Sequence, residues 1–294
     1  MSSIITTCLK RGLIKNYPIH IKDPLYEVIM GSYAYGVNSD MSDVDIYALC
    51  IPAKHIIFPH LNGYILGFGS QPEKFESFQQ HHIADPDNKR DYDITVFSIV
   101  KYFDLCMNNN PNMIDSLFVP TRCVLHCTKI GEMIRDNRKV FLCKKAWHTF
   151  KGYAYAQMHK MDIKTPEGKR KETVEKFGYD VKFAYHVVRL LGEVEQILTE
   201  GDIDLERDRE RLKEIRRGGW AIEQIREFFY SKEKSLEEIY TSSTLPHTPR
   251  EKELKQLLIN CLEEYYGNLK ECVEKERNID ILIQDIQGVL SKYE

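Results

Sequence analysis

The chain has 294 residues, of which 43% are hydrophobic and 29% are charged, the ordinary balance of a folded globular protein. Its formal net charge of −3 excludes a protein that coats nucleic acid through bulk positive charge, so a nucleic-acid partner would need a local basic surface. No run approaches the roughly 20 apolar residues that span a bilayer, and the first residues lack the apolar stretch of a secretory signal. We therefore expect a soluble, cytoplasmic protein with no membrane partner, and we leave its oligomeric state open.

The eight cysteines show no paired framework and are expected to be reduced thiols. One group of neighbouring residues could suggest a zinc site: Cys123, His126, Cys127 and Cys143. Their spacing matches no standard zinc-ligand pattern, and cysteine is among the most often buried residue types. The favoured interpretation is therefore thiols buried on a strand or at the start of a helix.

In chain order, β-like runs come first and helical patterns follow. The runs are interrupted by Gly, Pro, Asn and Asp, and they cover residues 26–32, 43–51, 63–68 and 91–97. We interpret His81 and His82 as part of a polar loop without an assigned role. A helix over 98–108 is expected to end at the segment Asn108-Asn109-Asn110-Pro111.

From about Gly131 onward, helical periodicity dominates. The predicted helices cover residues 145–161, 178–201, 205–219, 221–243 and a last segment after Pro249. The pattern predicts an α+β fold, with a mixed sheet flanked by helices in residues 1–130 and a helical domain in residues 131–294 that closes a cleft.

The segment that carries chemistry begins at Gly31-Ser32, ten residues before Ser42. A glycine at the end of a strand lets another group approach the backbone, and the Ser32 hydroxyl beside backbone amides suits phosphate oxygens. Asp43 and Asp45 are two residues apart on a predicted strand, so their carboxylates share one face. Hard oxygen ligands of this kind suit Mg²⁺.

A third acid lies on the 91–97 run, where Asp91 and Asp93 share a face. If that strand neighbours the strand of Asp45, one of these acids completes a site for two metal ions. Two such ions, roughly 3.5–4 Å apart, can activate an attacking hydroxyl and stabilise a leaving pyrophosphate. The alternative is an ordinary strand-loop-strand segment with solvated acids. The combination of Gly31-Ser32, Gly36 and Ser42-Asp43-x-Asp45 is, however, far more specific than Asp-x-Asp alone.

The stretch GSYAYGVNSDMSDVDI at residues 31–46 resembles the signature of the DNA polymerase β-type nucleotidyltransferase superfamily. The resemblance implies that Gly31, Ser32 and Ser42 hold the triphosphate. It also implies that Asp43, Asp45 and Asp93 are both the catalytic residues and the metal ligands.

A closer similarity extends over most of the chain. The stretches, in order, are DITVFSIVKYFDLCMNNNPNMIDSLF, GYAYAQ, YDVKFAYHVVRLL, EIRRG and SSTLP. They resemble a branch of bacterial and phage nucleotidyltransferases associated with RNA-repair ligases. That branch has an acid directly before its Ile-Thr-Val-Phe run, which favours Asp93 over Asp91. Where the branch often has Glu, this sequence has Asp115, at a position that we interpret as structural.

The predicted helix after Gly178 is apolar except for one stripe, formed by Lys182, His186, Arg189 and Glu193. The stripe could be a solvated face with an Arg189–Glu193 pair. Alternatively, Lys182, His186 and Arg189 contact the nucleotide phosphates or the acceptor, and the resemblance favours this second interpretation.

Three further features are weaker candidates for binding. Tyr153 and Gln157, one helical turn apart, could lie near a base or an acceptor. The basic stretch 164–176 could contact an RNA backbone, although such a stretch is more often a solvated loop.

The sequence thus predicts an enzyme that moves a nucleoside monophosphate from a nucleoside triphosphate, with ATP expected, to a hydroxyl acceptor. Two Mg²⁺ ions are expected as cofactors, with Mn²⁺ as a substitute. By analogy the acceptor is an RNA end. The alternatives are adenylylation of a protein or a small molecule, and a non-catalytic nucleotide-binding regulatory module.

Overall fold

A computed structural model describes residues 3–38, 43–87, 90–163 and 169–272, together with Ile286. It confirms the predicted α+β fold, in which a mixed sheet precedes a helical part. The strands are β1 Tyr26–Ile29, β2 Val44–Cys50, β3 Ser77–Asp85, β4 Arg90–Ser98 and β5 Val124–Cys127. The helices that accompany the sheet are α1 Ile4–Lys10, α2 Lys54–Ile57, α3 Ile99–Met107, α4 Pro111–Phe118 and α5 Lys129–Asp136.

The second part of the described chain is helical. Its helices are α6 Lys145–Ile163, α7 Lys169–Phe177, α8 Val181–Glu200, α9 Arg209–Arg216, α10 Ile222–Ser242 and α11 Glu251–Tyr266. α8 packs between α6 and α10 and is buried along most of its length, as its apolar sequence predicts. No helix among the described residues is long and apolar enough to cross a membrane.

The sheet has the strand order β3-β4-β2-β1-β5. β2 and β4 run parallel, and the other neighbouring pairs are antiparallel. The parallel pairing places Asp45 opposite Asp93. The two strands that carry the candidate acids are therefore direct neighbours in the middle of the sheet.

The predicted strand at 63–68 is wrong, and β3 takes its place as the partner of β4. Gly63 and Gly67 adopt left-handed backbone conformations. Ile65 and Leu66 are 64% and 89% exposed, so this segment has no buried face for a sheet to use. His81 and His82 accordingly lie in a strand rather than in the predicted polar loop.

The largest cluster of buried hydrophobic side chains crosses the predicted boundary at residue 130. It includes Val28 from β1, Trp147 from α6 and Leu190 from α8. A second cluster, with Ile46 and Ile94, lies beneath α1 on the sheet. The division into domains 1–130 and 131–294 stays a prediction, and the shared core fixes the helices against the sheet.

The cysteines are free thiols, and all but Cys127 are buried. Cys123 ends a 3₁₀ turn and Cys127 ends β5, which agrees with the interpretation as thiols on a strand or helix start. Burial raises the pKa of both thiols, which disfavours the thiolate that a metal requires.

Candidate functional site

Two aspartates are register partners on the central strands β2 and β4, and a third precedes β2. Asp45 is half-buried on β2, Asp93 is its register partner on β4, and Asp43 is exposed immediately before β2. Burial raises the pKa of Asp45, and the charges of Asp93 and Asp43 raise it further, whereas Lys182 and His81 lower it. These groups therefore share one electrostatic environment, which is the core of the candidate site.

The choice between the two candidate third acids can be compared directly. Asp93 lies opposite Asp45, whereas Asp91 is exposed and pairs with Ala84 near the end of β3. The geometry therefore favours Asp93.

Gly31 lies directly against Asp45. Its φ is +64°, and a Cβ added there would come 2.3 Å from Asp45 Oδ2. The Met30 amide also donates to the Asp45 carbonyl (2.8 Å), which continues the β1–β2 pairing up to this point. Glycine is thus required twice at this position, for its left-handed backbone and for the space that the carboxylate occupies.

We expect Gly31→Ala to lower the activity at least about a hundredfold, because displacing a reacting group by about 1 Å has costs of this size. The matched control is Gly12→Ala, since Gly12 has a φ of +67° but nothing within 4 Å of an added Cβ. In both variants the left-handed backbone costs an alanine about 1–2 kcal/mol, which the change in unfolding free energy measures. Equal activities of the two variants would contradict a role for the contact with Asp45.

The structure describes one of the two predicted phosphate-binding serines, Ser32. Ser32 is half-buried in the 3₁₀ turn Gly31–Tyr33, and its carbonyl accepts from the Val37 amide (2.9 Å). Ser42 lies outside the described residues. Phosphate binding by Gly31, Ser32 and Ser42 stays a prediction.

Arginines from outside the turn hold the segment 31–38 in place, and sequence reasoning missed them. The Arg122 guanidinium donates to the Tyr33 carbonyl (3.0 Å) and to Glu206 (2.7 Å). Arg216 of α9 donates to the Val37 carbonyl (2.5 Å). The Gly31-Ser32 turn is therefore tied to the helical part of the chain.

Arg189 is not placed to bind phosphate. It is 4% exposed, donates to Asp115 and, at 2.9 and 3.0 Å, to both oxygens of Glu193. Its guanidinium also lies over the ring of Tyr35 at 4.3 Å, and the Tyr35 hydroxyl donates to Asp115 (2.9 Å). The predicted Arg189–Glu193 pair is present, but it is buried rather than solvated, and this burial argues against phosphate binding by Arg189.

This group (Tyr35, Asp115, Arg189 and Glu193) is called the buried arginine network below. It links the turn region, α4 and α8, and within it Asp115 pairs with Arg189 and accepts from the Tyr35 hydroxyl. Burial raises the pKa of Glu193 and of Asp115, while the neighbouring Arg189 lowers both. The network therefore has a structural function, fixing α8 against the turn.

Lys182 and His186, two other polar residues of the α8 stripe, are more exposed than Arg189. Lys182 is exposed in the first turn of α8, where its amide donates to Asp180 (2.8 Å). His186 is half-buried, with its ring 4.2 Å from that of Tyr185. Phosphate binding by Lys182 and His186 stays a prediction, supported for Lys182 by its electrostatic effect on Asp45.

Asp93 is held by two histidines of β3 that sequence reasoning left without a role. The His82 amide donates to Asp93 Oδ1 (2.8 Å), and His81 Nδ1 lies 3.4 Å from Asp93 Oδ2. In the part of the chain that is described, no three His, Cys, Asp or Glu side chains converge closely enough to hold a metal ion. Asp43, Asp45 and Asp93 are thus neighbours, but they do not form a closed ligand set.

Other candidate surfaces lie around or away from this site. Tyr153 is 39% exposed and its hydroxyl accepts from Asn110 (2.8 Å), while Gln157 is half-buried, and neither has a tested role. Of the basic stretch 164–176, residues 164–168 lie outside the described part, and Lys169 begins α7, so a helix replaces the expected loop there. A cavity of about 710 Å³ lies elsewhere, beside β5 and α5, and none of the residues predicted to bind nucleotide or metal in nucleotidyl transfer lines it.

Comparison with known families gives one match. A model described as the RNA repair pathway DNA polymerase beta family matches residues 13–260, which include all the site residues named above. No curated protein matches the chain significantly.

Proposed function

Because the chain belongs to the RNA repair pathway DNA polymerase beta family, we propose that it is an active nucleotidyltransferase in which the site around Asp43, Asp45 and Asp93 binds a nucleoside triphosphate. Family membership supports nucleotidyltransferase activity and a place in RNA repair at the general level. The donor nucleotide, the metal and the acceptor are the finer parts of the proposal. The observation that carries it is the pairing of Asp45 with Asp93 beside the tight approach of Gly31.

The three aspartates of the site suit a divalent cation. Asp43, Asp45 and Asp93 supply hard oxygen donors. Burial and the charges of Asp93 and Asp43 disfavour the ionised form of Asp45, and a bound cation would offset this cost. We propose Mg²⁺, with two ions bound together with the triphosphate and Mn²⁺ as a substitute. Bound there, the metal would neutralise phosphate charge and activate the acceptor hydroxyl.

The reaction needs positioning and charge stabilisation more than a covalent nucleophile. The acceptor hydroxyl attacks the α-phosphorus, the bond from that phosphorus to the β-phosphate oxygen breaks, and pyrophosphate leaves. In this arrangement the Gly31-Ser32 turn holds the phosphates near Asp45. The hydrogen bonds from Arg122 to the Tyr33 carbonyl and from Arg216 to the Val37 carbonyl keep the turn in place. ATP is the proposed donor.

Lys182 is the cation that we assign to the triphosphate. We expect Lys182→Met to raise the KM for the nucleotide about tenfold or more, because a phosphate loses a charge-assisted contact. Lys252→Met is the matched control, because Lys252 is also exposed and is also the second residue of its helix, α11. Steady-state kinetics should show the change for Lys182→Met alone, and an unchanged KM would remove Lys182 from the site.

An RNA end is the proposed acceptor, and a protein hydroxyl or a small molecule is the alternative. The test incubates the purified protein with Mg²⁺, each α-labelled nucleoside triphosphate in turn, and short RNAs, tRNA, lysate protein or small-molecule extract. Label on RNA supports the proposal, whereas label on protein or small molecules alone assigns the alternative. Mg²⁺-dependent nucleotide binding without transfer to any acceptor would instead indicate a regulatory module.

A further inference from the structure

Strand β3 contains a bulge directly opposite the candidate third acid. Gln80 pairs with Ile94 and Ile83 pairs with Tyr92, so His81 and His82 together face the single residue Asp93 on β4. Bulges of this kind re-aim side chains and occur next to active sites more often than elsewhere.

The bulge has an unusual backbone. His82 has a φ of +53°, in the left-handed region that few residues other than glycine adopt. This conformation turns the His82 amide away from the strand ladder and toward Asp93 Oδ1, to which it donates at 2.8 Å. One oxygen of Asp93 is therefore fixed by a backbone group.

The contact of His82 with Asp93 is made by its backbone and not by its side chain. That side chain is exposed, whereas the amide makes the contact with the carboxylate. The His81 ring, 56% exposed, adds only a longer approach of 3.4 Å to the other oxygen. The backbone conformation of the bulge, rather than an imidazole, is the feature that orients Asp93.

We propose that His82 is a positioning residue, whose left-handed backbone fixes the orientation of the carboxylate of Asp93, the register partner of Asp45. The proposal rests on the proposed function, since it treats Asp93 as part of the reacting site. An oriented carboxylate needs no reorganisation when substrate binds, which is the condition for effective charge stabilisation.

The test varies the backbone preference at position 82. Glycine and asparagine tolerate a left-handed conformation, whereas valine strongly disfavours it. We expect His82→Gly and His82→Asn to transfer nucleotide within about threefold of the wild-type rate, and His82→Val to lose about tenfold or more in kcat. Gln79→Val is the matched control, because Gln79 is also exposed and lies in the regular part of β3 opposite Thr95.

A second measurement does not depend on activity. Hydrogen exchange of the residue-82 amide should be slow in the wild type and in the Gly and Asn variants, and fast in His82→Val and in Asp93→Ala. Gly and Asn variants that lose as much activity as Val would assign the effect to the imidazole and overturn the proposal. A wild type that shows the expected exchange pattern but transfers no nucleotide would instead contradict the proposed function and leave the positioning role intact.

Discussion

Asp45→Asn is expected to lower the rate of nucleotidyl transfer about a thousandfold while the protein stays folded. Loss of a single group that stabilises developing charge commonly costs 10²–10³-fold, and a proposed metal ligand belongs at the upper end of that range. Stability should be unchanged or higher, because burial and the charges of Asp93 and Asp43 already disfavour the ionised form of Asp45. Single-turnover kinetics and thermal unfolding measure the two effects separately.

The control for this variant is Asp91→Asn on the same sheet. Asp91 is exposed and pairs with Ala84 of β3, whereas Asp93 is the register partner of Asp45. Its replacement should leave the rate within about threefold, as is usual for surface positions away from special features. Comparable losses in the two variants would mean that the site depends on general negative charge rather than on the Asp45–Asp93 pair.

Arg189→Met is expected to be the most destabilising of the substitutions considered. Breaking a buried ion pair by removing one partner costs about 3–5 kcal/mol, because the remaining charge is left uncompensated. Here two carboxylates, Asp115 and Glu193, lose the same cation. Chemical denaturation should show this loss of unfolding free energy, and nucleotide binding should weaken only as far as the fold is lost.

A matched surface variant separates the buried effect from a general effect of removing arginine. Arg207 contacts Glu200 with two nitrogens, but both side chains are exposed. Arg207→Met should therefore change stability little. If Arg189→Met were equally stable and instead raised the KM for the nucleotide, Arg189 would return to the list of phosphate ligands.

Much of the fold could be predicted because its elements have clear periodicity. The strands that contain Asp45 and Asp93 alternate or are strongly apolar, and the apolar surface of α8 follows helical spacing. The side-by-side position of the two acids was predicted only on the condition that their strands were neighbours. The parallel pairing of β2 with β4 meets that condition.

Other features depend on contacts between residues far apart in sequence. β3 was missed because Gln79, Gln80, His81 and His82 interrupt the alternation expected of a half-buried strand. The burial of Arg189 depends on Asp115, which lies 74 positions away, so the local sequence showed only its helical neighbour Glu193. The left-handed backbone of His82 is set by the bulge, which pairing with β4 creates.

Transfer of a nucleoside monophosphate at this site is tested most directly by the position of the label in the triphosphate. Wild type and the Asp43→Asn, Asp45→Asn double variant would each be incubated with acceptor, Mg²⁺ and ATP labelled on either the α- or the γ-phosphate. We predict that the wild type alone transfers the α-label to the acceptor, while the γ-label leaves as pyrophosphate. Transfer of the γ-label instead, or equal transfer by the double variant, would contradict nucleotidyl transfer at this site.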